Sequence, residues 1–82
     1  MSDREKKILN CFTDLQRAAV ACATQGWQTE KIFLAHAQKI LHDLRLPAVL
    51  WAIRQAEQMT NSVYRADKLL TLGLRLKGGW EV

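Results

Sequence analysis

Helix breakers are scarce in this 82-residue chain, and their positions constrain its fold more than anything else in it. Gly26, Pro47 and the Gly78-Gly79 pair fall between or after four stretches whose apolar residues recur with helical spacing. No stretch alternates apolar and polar residues long enough to make a strand. The chain is therefore expected to be all-α. It should form a compact bundle of four helices, at about 3–24, 30–45, 47–60 and 62–77, within a single domain spanning 1–82. The alternative is one continuous helix from Pro47 to Lys77, since neither glycine nor proline interrupts that stretch before Gly73.

Local signals set the expected ends. Ser2-Asp3-Arg4-Glu5 has the pattern of a capping box, in which a hydroxyl and a carboxylate satisfy free amides at a helix start. Ile8, Phe12, Leu15, Ala19 and Cys22 make the first apolar stripe, flanked by Cys11 and Ala23. Gly26 is expected to close that helix in a left-handed conformation, with Trp27 packing back on its last turn near Cys22. Thr29 should cap the second helix, whose stripe is Phe33, Ala37, Ile40, Leu41 and Leu44, joined by Leu34. Leu46-Pro47 ends it, because the residue before proline disfavours helical geometry and proline suits the first position of a new helix.

In the third helix Val49, Ala52, Ile53, Ala56, Met59 and Thr60 form a stripe, from which Leu50 and Trp51 each stand away by roughly 130°. Asn61 or Ser62 should cap the fourth. That helix carries Val63, Ala66, Leu70, Gly73 and Leu74 on one side and a second row, Leu69, Leu72 and Leu76, on another. The resulting apolar arc is about 200° wide, against about 100° for an ordinary surface helix. Gly73, inside a helix, costs about 1 kcal/mol relative to alanine. Close approach of another helix would account for it.

Composition narrows the functional classes. Twelve Lys and Arg against eight Asp and Glu give a net charge of +4, but the cations are dispersed and often sit beside acids, as in Asp3-Arg4-Glu5 and Asp67-Lys68. A solvated mixed surface is the favoured reading over a nucleic-acid patch. Cys11 and Cys22, three turns apart on one helix, are separated by about 16 Å of rise, too far for a disulfide. They are expected to be reduced core thiols. The N-terminus is polar and no run approaches the ~20 apolar residues of a membrane span, so a soluble, cytoplasmic protein without a signal peptide is expected.

Catalytic chemistry finds no home in the sequence. His36 and His42, six residues apart, point about 120° from one another, whereas zinc pairs on a helix use spacings of three or four. Glu57, Asp43, Asp67 and Asp14 are single acids on polar faces, and no glycine-rich phosphate loop exists. The expectation is a protein that is not an enzyme and has no catalytic residues, metal, cofactor or small-molecule substrate.

Two apolar anomalies carry the functional expectation: Leu50 with Trp51, and the row Leu69, Leu72, Leu76 with Trp80 beyond it. A four-helix domain of this size cannot make both its third and fourth helices central, so at least one surplus surface should dock another protein or a second copy of this chain. Arg65, Lys68 and Arg75 would orient an acidic partner. The alternative is a small basic nucleic-acid-binding protein, dimeric, whose fourth-helix cations contact phosphates. A helix-turn-helix is disfavoured, because the helix after Pro47 opens Pro-Ala-Val-Leu-Trp-Ala-Ile and offers no polar side chain to a base.

Overall fold

The computed structural model describes residues 2–78 and contains four helices: α1 (Asp3–Ala23), α2 (Trp27–Leu44), α3 (Pro47–Glu57) and α4 (Ser62–Lys77). No strand occurs among the described residues. Gly79 and Trp80 lie outside them. The all-α, four-helix architecture follows the sequence pattern, and α3 and α4 are separate.

The caps explain why. The Ser2 hydroxyl accepts the Glu5 N–H at 3.1 Å and donates to the Glu5 carboxylate at 3.3 Å, fixing the start of α1. Pro47 occupies the first turn of α3. Asn61 separates α3 from α4: its Oδ1 accepts the Val63 and Tyr64 N–H groups at 3.0 and 3.1 Å.

The α1–α2 corner is built differently from expectation. Gln25, not Gly26, takes the left-handed conformation, with φ 63°. The Gly26 N–H reaches the Ala21 carbonyl at 2.7 Å and the Gln25 N–H reaches Cys22 at 3.2 Å, the paired closure of a Schellman motif. Gly26, at φ −87°, instead stands immediately before α2, which begins at Trp27 rather than near residue 30. Thr29 is therefore inside the first turn and caps nothing. The end of α2 repeats the device, with Arg45 left-handed at φ 59° and the Leu46 N–H on the Leu41 carbonyl at 3.1 Å. Leu46 is buried behind it. The backbone thus closes α2 before the proline is reached.

α1 is the central helix, packing along both α2 and α4, while α3 bridges those two more lightly. Both long seams are antiparallel. In the first, the Cys11 thiol points to the Ala37 carbonyl at 3.8 Å and the Arg17 guanidinium lies 5.7 Å from the Phe33 ring centre. In the second, the Cys22 thiol donates to the Ser62 carbonyl at 3.3 Å, and the Lys77 ammonium lies 5.0 Å from the Phe12 ring centre. The starts of α2 and α4 therefore share one end of a bundle measuring 34 × 19 × 18 Å. At Gly73 the two helices of the second seam come close: a Cβ there would lie 3.2 Å from Phe12 Cδ1 and 3.5 Å from Leu15 Cβ. The expected neighbouring helix is α1.

This placement turns the leucine row of α4 inward and splits the other row, burying Ala66 and Gly73 and leaving its larger members outside. Leu69, Leu72 and Leu76 are fully buried in the core with Leu15, Leu41 and Ile53, whereas Val63, Leu70 and Leu74 are exposed. α4 must satisfy both α1 and α3, and the arc between those neighbours is centred on the leucine row. Leu69, Leu72 and Leu76 consequently have no free surface to offer a partner. Leu50 is likewise committed, half-buried against the core.

Candidate functional site

The polar features nearest the core converge at the end where α1 stops and α2 and α4 begin. Glu30, only 5% exposed, faces Arg65 across the gap between α2 and α4. The guanidinium grips it with two hydrogen bonds, Nε to Oε2 at 2.8 Å and Nη2 to Oε1 at 3.1 Å. Its Nη1 donates to the Met59 carbonyl at 2.7 Å. The same guanidinium lies 5.1 Å from the centre of the Trp27 ring, within cation–π range. Hydrogen bonding to Glu30 pushes Arg65 above its ordinary pKa. One side chain thus clips the start of α2, the α3–α4 connection and α4 together.

Arg65, expected as a surface cation for an acidic partner or, in the alternative, for phosphates, is instead committed within the fold. All of its directed bonds are internal, because a carboxylate buried beside it must be neutralised. Of the other two expected basic contacts, Lys68 is half-buried and Arg75 is exposed. Trp51 does stand in solvent, 65% exposed on α3. Trp80, the last of the expected anchors, lies outside the described residues.

Four large apolar side chains missed as site candidates are exposed toward this end of the bundle, and Trp27 lies against the clip itself. Val20 on the last turns of α1, Trp27 at the start of α2, and Val63 and Tyr64 in the first turn of α4 are all exposed, the last two 69% each. A shallow groove of about 600 Å³ runs between α1 and α2, walled by Val20, Ala21, Thr24, Gly26, Thr29 and Phe33; of the four exposed side chains it takes in Val20. Val20 carried a readable signal, since it stands off the stripe of its helix. Val63 did not, because it lies on a broad apolar arc whose inward side only the packing decides.

The thiols are structural. Burial, and secondarily Asp14, pushes Cys11 up to about 12 from its ordinary 9.0. Burial and then Glu30 raise Cys22 as well. Because the folded state holds the Cys11 proton more tightly than the unfolded chain, the associated stability is complete below pH 9 and lost as pH rises towards 12. The slope is about 1.4 kcal/mol per pH unit in that window. By pH 10.5 the loss attributable to Cys11 should reach about 2 kcal/mol. Urea unfolding of the wild type and Cys11→Ala at pH 8 and 10.5 checks this, the difference between them isolating the thiol; parallel losses in both proteins would contradict it.

His36 and His42 are both exposed. Among the described residues no three His, Cys, Asp or Glu side chains are grouped to hold a metal ion, and no helix is long and apolar enough to cross a membrane. Comparison of the chain with protein-family models, with curated proteins and with solved structures gives no match in any of the three.

Proposed function

We propose that this chain is a non-enzymatic interaction module that docks a partner protein on the apolar end of its bundle. The observation that carries the reading is the exposure of Val20, Trp27, Val63 and Tyr64 toward one end of a domain whose core is otherwise complete. Exposed aromatic and aliphatic side chains are the usual anchors of protein interfaces, and the groove beside Val20 offers room for an anchor in return. The Glu30–Arg65 clip beneath them holds α2 and α4 in fixed relation, so that the surface is preorganised.

Asp at positions 63 and 64 tests this without unfolding the domain, because acids favour the first turn of a helix. Wild type and the Val63→Asp/Tyr64→Asp variant are used as baits in native-host extract, with and without nuclease. The expected outcome is a protein retained by the wild type in both conditions and lost from the variant. Sedimentation of the purified domain shows whether that partner is a second copy. Identical sets retained by both baits would end the proposal.

A further inference from the structure

The two ends of the bundle differ in kind. Opposite the apolar end, α1 and α3 begin and α2 and α4 finish. There α1 contributes Arg4, Lys6 and Lys7, all exposed. The end of α2 adds Lys39 and Arg45, and the end of α4 adds Arg75 and Lys77, also exposed. Among the described residues, seven cations at this end thus face three acids, Asp3, Glu5 and Asp43. Two of those acids lie in the first turn of α1, where they answer the positive end of that helix's dipole. The surplus charge of the chain is therefore concentrated at one end of the molecule, although in sequence the same residues look scattered.

A second observation adds chemistry to the charge. Trp51 sits one turn into α3, at this same end, on the face turned away from the buried Val49, Ala52, Ile53 and Ala56. Arg54 follows it by three residues, the spacing of neighbours on a helix surface. Trp51 is thus a large aromatic held in water at the cationic end, with a flat face available for stacking.

We infer that the basic end of this bundle binds single-stranded nucleic acid, its Lys and Arg side chains following the phosphates while a base stacks on Trp51. Electrostatic attraction to the backbone combined with aromatic stacking is how proteins hold single strands without reading sequence. A duplex would use the cations but hide its base faces. An acidic peptide would likewise leave the tryptophan idle. The site is separate from the protein-docking end, so the two readings stand or fall apart.

The test measures fluorescence anisotropy of labelled 20-nucleotide oligothymidylate and oligouridylate, with a 20-base-pair DNA duplex and poly-glutamate as competitors. Both single strands should bind at 50 mM salt, and whichever binds more tightly identifies DNA or RNA as the better ligand. With three to five phosphates neutralised, log K should fall with log salt at a slope of about −2 to −3.5. Trp51→Ala, a change at an exposed position, should weaken binding about tenfold with the slope unchanged. Lys39→Glu with Lys77→Glu should flatten the slope by about 1.4. Val63→Asp/Tyr64→Asp should bind as the wild type does. The inference is overturned if neither strand binds, if poly-glutamate competes as well as the oligonucleotides, or if duplex binds equally and Trp51→Ala changes nothing.

Discussion

Arg65→Ala should lower the stability of the domain by about 3–5 kcal/mol, because it strands the Glu30 carboxylate in a site only 5% exposed. A chain of 82 residues has about 4–12 kcal/mol in total, so this one substitution removes a large part of it. Glu30→Ala should cost a similar amount, leaving a guanidinium that keeps the Met59 carbonyl and the Trp27 ring as partners but has lost its counter-charge. At about 4–8 °C per kcal/mol for a domain of this size, either variant should melt at least about 12 °C below the wild type. Replacing both residues by methionine removes both charges together. That double variant should recover most of the loss, since a buried pair is worth little more than apolar side chains of similar volume. Thermal and urea melts of the four proteins give the answer. A wild-type-like melt for Arg65→Ala would mean that the pair is hydrated in solution and holds nothing.

The pair also shows where reading the sequence stops. Helix ends written in local chemistry were legible: the Ser2–Glu5 box, Pro47 opening α3 and Asn61 capping α4 each need only neighbouring residues. The α1–α2 corner was misread because its left-handed residue is Gln25, and no side-chain type signals a strained position that a glycine next door would fill more readily. Glu30 and Arg65 lie 35 residues apart, and local sequence offers Arg65 only as a surface cation. Yet both stand in register with their core stripes. Glu30 precedes Leu34, Ala37 and Leu41 by four, seven and eleven residues; Arg65 precedes Leu69, Leu72 and Leu76 by the same spacings. Two opposite charges, each at an inward register position near the start of its own helix, were a signal for a buried pair. The apolar end was illegible for another reason. It is assembled from α1, α2 and α4, and only the antiparallel arrangement around α1 brings its members together.

Leu72→Ala should cost about 2–5 kcal/mol, whereas Leu74→Ala, two residues away, should stay within about 0.5 kcal/mol of the wild type. Leu72 is 1% exposed and its truncation opens a cavity that neighbouring helices cannot close; Leu74 is 62% exposed and gives up little buried surface. The contrast decides which side of α4 faces inward, the point at which hydrophobic pattern alone was ambiguous. A helix with an arc about 200° wide can be seated on either of its rows, and the glycine selects between them. At Gly73 the backbone of α4 lies against Phe12 and Leu15, which places Leu69, Leu72 and Leu76 between α1 and α3 and turns Leu70 and Leu74 outward. Were the leucine row instead the docking surface, the order of the two effects in a urea melt of the isolated domain would be reversed: Leu72→Ala would be silent until a partner was added, and Leu74→Ala would unfold the protein.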